Sequence, residues 1–222
     1  MDNIFYSQQG EDCYIFNNYI NTQREDGTFV ELGAMDGLWY SNTKFFEDTL
    51  KFNGVLIEPT EQYNDLLKNR PNCKCYKNAI NNKEEEVEFL GDSATAGLVK
   101  TMSTSFKESH HSENNNVYKV QGTPIRNLIK DLKYIDLFSI DVEGGELVVL
   151  ETIDWKIPIY VIVIELDNHN KDKDEKCRTI LREKGFTFDI VMGGNEFWIN
   201  KNYFRKNILF DRSIKKKCEY HF

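Results

Sequence analysis

Short runs rich in Val, Ile, Phe and Leu, separated by amphipathic stretches, constrain this chain more than any other feature. Continuous apolar runs of strand length are what strands buried on both faces require, and amphipathic stretches between them are what crossover helices require. The chain therefore reads as α/β. Strands are expected at Phe29–Ala34, Gly54–Glu58, Cys73–Ile80, Ile135–Asp141 and Tyr160–Leu166, with a short extra one at Val87–Leu90. Helices are expected over Thr43–Lys51 behind a Ser41-Asn42 cap, over Glu61–Asn69 after Pro59, and over Ile125–Leu132. Two more are expected from Gly145-Glu146 to before Trp155 and over Asp172–Lys184. Arg70-Pro71-Asn72 stops the second helix and Gly185 the last. Phe186–Val191 and Glu196–Asn200 read as a closing antiparallel pair around Gly193-Gly194. On Glu196–Asn200 the rings of Phe197 and Trp198 must face opposite ways, and Trp155 reads as core.

A chain of 222 residues, 40% of them apolar, is enough for a single domain spanning 1–222. Residues 1–28 form an N-terminal cap segment in this reading. Residues 91–116, polar and rich in Gly, Ser and Thr, with an Asn114-Asn115-Asn116 patch, read as an irregular lid loop, and His110 and His111 as lid or solvent residues. A net charge of −8 opposes sequence-independent binding to a phosphate backbone, so no nucleic-acid partner is expected, and Lys215-Lys216-Lys217 reads as a solvated tail. Five scattered cysteines without CxxC spacing support neither a disulfide framework nor a zinc site. They point to a reducing, cytoplasmic setting. No apolar run reaches membrane-spanning length and the first residues lack a basic start followed by an apolar stretch, so neither secretion by a signal peptide nor a membrane span is expected.

In an open parallel sheet, ligands bind beyond the carboxyl ends of the strands. Here those ends are acidic. The first expected strand closes in Glu31-Leu32-Gly33-Ala34-Met35-Asp36-Gly37, a glycine turn that is not the dinucleotide G-x-G-x-x-G. Its carboxylates would repel a pyrophosphate and favour a ligand carrying an ammonium and a sulfonium, the charges of S-adenosylmethionine. The second strand closes in Glu58-Pro59, where a carboxylate can accept both hydroxyl hydrogens of a ribose. Read alone, such a turn and acid fit an ordinary βα connection as well as they fit a nucleoside site.

Several separated stretches together resemble the FkbM-type methyltransferases, a branch of the class I S-adenosylmethionine-dependent enzymes. They are Ser7–Asp12, Phe29–Gly37, Ser41-Asn42-Thr43 with Phe46-Glu47, Gly54–Pro59, Asn78-Ala79-Ile80 and Ile135–Leu150, the last containing Asp141-Val142-Glu143-Gly144-Gly145-Glu146. The resemblance implies a Rossmann-like, mostly parallel seven-stranded sheet with helices on both faces and an antiparallel last strand. It also implies methyl transfer from S-adenosylmethionine to an oxygen, usually of a sugar or small metabolite. By position it places Glu31, Gly33, Ala34, Asp36, Gly37 and Asn42 around the methionine part of the cofactor, Glu58 and Pro59 at the ribose, Asn78 and Ala79 at the adenine, and Asp141 beside the methyl group. Ser7-Gln8 resembles a segment that either packs over the cofactor or merely caps a helix together with Glu11 and Asp12.

An alcohol is a poor nucleophile unless its proton leaves as the new bond forms, so a base or a metal is required. Asp141, Glu143 and Glu165 are the catalytic candidates. Asp141 acts by direct proton acceptance or, with Glu165, by ligating a divalent cation such as Mg²⁺. On the acceptor side the candidates are Gln8, Trp39, Tyr40, Glu146 and His169. The two aromatics serve either to stack on a sugar or to pack a helix, Glu146 either the site or its helix N-terminus, and His169 either a base or an exposed loop. The competing readings are a non-sugar small-metabolite acceptor, a nicotinamide-dependent oxidoreductase, which lacks its fingerprint here, and a nucleoside-binding module without chemistry.

Overall fold

The computed structural model describes residues 5–111 and 116–217. The expectations resting on Asn114, Asn115 and Cys218 lie outside the described residues. In chain order the elements are α1 (Glu11–Asn18), β1 (Thr28–Leu32), α2 (Lys44–Leu50), β2 (Asn53–Ile57), α3 (Tyr63–Asn69), β3 (Lys74–Tyr76), β4 (Ala79–Ile80), β5 (Glu85–Leu90), β6 (Gly97–Leu98) and α4 (Thr104–His110). They continue as β7 (Val117–Thr123), α5 (Ile125–Ile129), β8 (Ile135–Ile140), α6 (Glu146–Thr152), β9 (Ile159–Glu165), α7 (Lys171–Glu183), β10 (Thr187–Met192), β11 (Asn195–Ile199) and α8 (Lys206–Leu209).

The main sheet runs β10-β11-β9-β8-β1-β2-β3. Neighbours from β9 to β3 pair in parallel, while β11 runs antiparallel to both β9 and β10, so the sheet is mixed, with the last strand reversed. Strands β8 and β9 lie mid-sheet and are covered on both faces, which is why their sequences are continuous apolar runs. One face packs Val30, Phe138, Ile162 and Trp198 with residues of α5, α6 and α7. The other packs Phe29, Leu137, Val161 and Phe197 with residues of α1, α2 and α8. Phe197 and Trp198 thus fall on opposite faces, as alternation requires, and both are buried because neither face is open. Trp155 packs against the first of these cores.

Three expectations are corrected. The run Cys73–Ile80 is two strands: β3 edges the main sheet, and the chain then turns so that β4 pairs with β7 in a second sheet ordered β4-β7-β5-β6. Strand β7 escaped detection because its half-exposed alternation carries too little apolar signal. The supposed irregular lid is folded, holding β6 and α4, whose Ser103 cap accepts from the Phe106 N–H at 3.1 Å. Leu90, Met102 and Phe106 form its small core. Cys13 is disulfide-bonded, so the cysteines are not uniformly free thiols and the argument from them for a reducing compartment falls. Among the described residues no helix is long and apolar enough to cross a membrane.

Candidate active site

The carboxyl ends of β1, β2, β8 and β9 open onto a cavity of about 320 Å³. Its floor is the glycine turn after β1. The Gly33 and Ala34 N–H groups donate to the Ile57 carbonyl at 3.1 and 3.2 Å, and the Met35 N–H donates to Glu58 Oε2 at 2.9 Å. Glu58 also accepts from the Thr60 N–H at 2.8 Å, so one buried carboxylate ties together the turns after β1 and β2. Gly33 has φ 73°, and a Cβ there would lie 2.0 Å from the Asp141 carbonyl oxygen. Gly33→Ala therefore forces β1 and β8 apart on top of the left-handed penalty of about 1–2 kcal/mol for an L-residue. The expected result is a melting temperature lowered by at least several degrees together with weakened S-adenosylhomocysteine binding, read by thermal denaturation and calorimetry.

Gly33, Glu58, Pro59, Asn78, Ala79, Asp141, Glu143 and Glu165 line the cavity, as do Gln8, Trp39, Tyr40 and His169 on its outer side. Glu31, Ala34, Asp36, Gly37, Asn42 and Glu146 are not among the residues that line it. Glu31 is buried below the turn, accepting from Ser41 Oγ at 2.9 Å, the Asn42 N–H at 2.7 Å and Thr43 Oγ1 at 2.7 Å. Ala34 is buried in the core. Asp36 Oδ1 caps the Leu38 and Trp39 N–H groups at 2.9 Å. The Gly37 carbonyl accepts from Arg70 Nη1 at 3.1 Å, and Asn42 donates to Ser139 Oγ at 2.9 Å. These residues shape the turn rather than the cavity wall. Glu146 is withheld by its ion pair with Lys173 and accepts from the Gly144 N–H at 3.0 Å.

The second sheet and α4 contribute a wall of Phe89, Ser93–Ala96, Leu98, Phe106 and His110; the stretch was expected as a loop over the site, and what sequence reasoning missed is Phe89 and Phe106 as parts of its wall. The spacing of Leu98, Met102 and Phe106 at four residues was the available signal. His110, read as a lid or solvent residue, lines the cavity with its ring stacked on Phe106 at 4.4 Å. His169 is exposed at the rim, its Nδ1 3.3 Å from Ser105 Oγ.

Asp141, Glu143 and Glu165 place carboxylate oxygens within 4.8 Å of one another. Lys173 is already paired with Glu146 and Asp174, so its charge reaches the three only in part. Burial, with Glu165 and Glu143 beside it, pushes the Asp141 carboxyl well above the usual range. Burial and the Glu165 and Glu146 charges push Glu143 up to about 9, and burial with Glu146 and Asp167 pushes Glu165 up to about 7. The ligand-free folded state therefore holds protons that the unfolded chain releases near pH 4. Stability from these groups is full below that pH and is lost as pH rises through about 7 to 9. Thermal unfolding of the ligand-free protein is expected to show a melting temperature falling from pH 5 to pH 9, with a shallower fall in Asp141→Asn.

The strand order, with a glycine turn closing β1 and an acid closing β2, is that of a Rossmann-like α/β fold with a reversed last strand. Residues 31–188 match the family described as the methyltransferase FkbM domain, and the chain belongs to that family. No curated protein sequence matches it. Similar solved structures include a precorrin-6Y C5,15-methyltransferase from Geobacter metallireducens, at 13% identity over 84% of each chain and a TM-score of 0.42. Another is Aeropyrum pernix fibrillarin with natively bound S-adenosyl-L-methionine, at 13% identity over 86% of this chain and 72% of that one, TM-score 0.42. A third is M. capricolum TrmK with S-adenosyl-homocysteine, at 12% identity over 87% and 67%, TM-score 0.40.

Proposed function

We propose that this methyltransferase acts on a hydroxyl group of a sugar or glycan. The observation that carries the reading is the pair Trp39 and Tyr40 at the mouth of the cavity. They are 62% and 40% exposed, their rings packed edge to face at 5.9 Å, and they line the same cavity as the three carboxylates. Exposed rings give an apolar platform for a sugar face, and carboxylates accept from its hydroxyls. The acidic lining disfavours a nucleic-acid acceptor.

The cavity suits S-adenosylmethionine by chemistry. Glu58 has acceptor capacity beyond its two backbone donors for a ribose, Ala79, Ile80 and Phe89 offer apolar wall to an adenine, and the carboxylates complement a sulfonium. When bound, the cofactor supplies a methyl group on positive sulfur. Asp141, ionised when the sulfonium's charge offsets its carboxylate neighbours, would then take the proton of the acceptor hydroxyl as the methyl group passes to that oxygen, the thioether being the leaving group. A divalent cation such as Mg²⁺ held by Asp141, Glu143 and Glu165 is the alternative way to balance their charge, since a hard ion takes oxygen ligands.

Calorimetric titration with S-adenosylmethionine, S-adenosylhomocysteine and NAD, each with and without Mg²⁺, tests the cofactor assignment. Saturation by the two sulfur compounds alone is the expected result. Transfer of labelled methyl to a panel of methyl glycosides and phenols tests the acceptor, and methylation confined to phenols would replace the sugar reading with that of a non-sugar metabolite.

A further inference from the structure

Residues 5–12 precede the matched stretch 31–188, although Ser7–Asp12 resemble a family segment, and they run along the site as a strap. At one end Phe5 stacks on Phe45 of α2 at 4.4 Å, Tyr6 donates its hydroxyl to Asp48 at 3.0 Å, and Ser7 makes a parallel bridge with Tyr40. At the other end the Gln9 side chain packs on Gly193, where a Cβ would lie 2.2 Å from Gln9 Cγ. There Glu11 accepts from the Gln9 N–H at 2.8 Å and from Asn195 Nδ2 at 2.9 Å, and Asn195 stands opposite Glu165 in the β9–β11 register. The strap thus ties the β1–α2 connection to the β10–β11 turn.

Asp12, fully buried, fixes its path. Its Oδ2 accepts from the Tyr6 N–H at 2.6 Å and the Ser7 N–H at 3.3 Å, and its Oδ1 accepts from Ser7 Oγ at 2.5 Å and the Cys13 N–H at 2.8 Å. Ser7 Oγ accepts in return from the Asp12 N–H at 3.2 Å. Ser7 Oγ thus satisfies a first-turn N–H of α1 from outside the helix. Between the anchors sits Gln8. It is exposed, lines the same cavity as Met35 and Tyr40, and its side chain makes no hydrogen bond to any described residue.

The cofactor's amino-acid end carries a carboxylate, yet the cavity wall holds Asp141, Glu143, Glu165 and Asp167 and no Lys or Arg among the described residues. A carboxylate placed there needs neutral N–H or O–H donors, of which Trp39, Tyr40, Thr60, Ser93 and Thr95 also line the cavity. The Asn78 amide is engaged with the Gln121 carbonyl at 3.2 Å, and His110 and His169 belong to α4 and the β9–α7 loop. Of the two side-chain amides that line the cavity, Gln8 is the one on the glycine-turn side, next to the donors of Trp39 and Tyr40.

We infer that Gln8 donates its amide N–H to the α-carboxylate of the bound cofactor, with Asp12 as the positioning residue that holds it there. The inference rests on the cofactor occupying this cavity. It assigns the strap to cofactor binding, not to the acceptor.

The test is calorimetry with two probes, S-adenosylhomocysteine and 5′-methylthioadenosine, which lacks the amino-acid carboxylate. Gln8→Ala is expected to weaken S-adenosylhomocysteine about 10-fold, the effect of one hydrogen bond to a charged group, and to change methylthioadenosine less than about twofold. Gln8→Glu should be worse than Gln8→Ala for S-adenosylhomocysteine, because it sets two carboxylates together. Asp12→Asn should weaken S-adenosylhomocysteine alone, and add nothing in the Gln8→Ala background. Equal weakening of both probes by Gln8→Ala, or wild-type affinity in Gln8→Glu, would overturn the assignment. Failure of the wild-type protein to bind S-adenosylhomocysteine would instead remove the cofactor from this cavity.

Discussion

Asp141→Asn is expected to bind S-adenosylmethionine within a few-fold of wild type and to lose methyl transfer by about 10²–10⁴-fold, the usual contribution of a positioned proton acceptor. Asparagine keeps the shape of the side chain, so the Asp141 backbone that packs against Gly33 stays in place. What disappears is the oxygen that can take a proton. The same change removes the carboxyl whose proton is held by burial and by Glu165 and Glu143, and with it that group's share of the pH dependence of stability. Single-turnover transfer to a proven acceptor, paired with calorimetry, separates the two effects. A variant with full turnover would move the proton-accepting role to another residue. One that loses cofactor affinity in step with turnover would make Asp141 a binding group only. If a divalent cation supplies the balance of charge, wild-type turnover should collapse on chelation and return with Mg²⁺, and Asp141→Asn should raise the Mg²⁺ concentration required.

The parts of this molecule that were legible in sequence are those fixed by period and by strand ends. β8 and β9 declare themselves because a strand covered on both faces must be apolar throughout, and Glu58, Asp141 and Glu165 follow because they close or immediately follow such strands. Two things were not legible. Glu31 sits on the first strand next to its turn, where a carboxylate reads as a ligand group. Only three dimensions reveal that its oxygens face Ser41, Asn42 and Thr43, because outward and inward orientations share the same sequence spacing. The wall made by Phe89, Leu98, Phe106 and His110 comes from a second sheet whose strands are short and half-exposed, so tertiary pairing rather than local pattern defines them. The strap was visible as a pattern of residues but not as a path, since the partners of Asp12 and Gln9 include groups as far away as Gly193.

Arg70 shows the same blindness at its greatest energetic consequence, for in sequence it is merely the residue that ends a helix before Pro71. In the fold its guanidinium is fully buried beneath the glycine turn and donates to Glu47, to the Gly37 carbonyl at 3.1 Å, to Ser41 Oγ at 3.2 Å and to Thr43 Oγ1 at 3.1 Å. Glu31 Oε2 lies 3.7 Å away, and the Phe29 ring 5.3 Å below. Arg70→Met keeps the volume of the side chain and leaves Glu31 and Glu47 without their cation, a loss expected to cost about 3–5 kcal/mol. For a chain of this length that corresponds to a melting temperature lowered by about 6–20 °C. Lys68→Ala, two residues earlier, removes only the exposed pair with Asp65 and should change stability by less than about 1 kcal/mol. Arg70→Lys should fall between them, because one ammonium cannot reproduce the planar fork that reaches Glu47, Gly37, Ser41 and Thr43 together. The triple variant Arg70→Met, Glu31→Gln, Glu47→Gln discriminates further: if the damage comes from stranded charge, it should recover part of the stability lost by Arg70→Met alone, whereas the turn, still missing its donors, should bind S-adenosylhomocysteine no better. Denaturant and thermal unfolding of the set, read beside calorimetry, checks both halves. A loss below about 1 kcal/mol in Arg70→Met would mean that the Glu31 carboxylate, not the guanidinium, holds the turn in place.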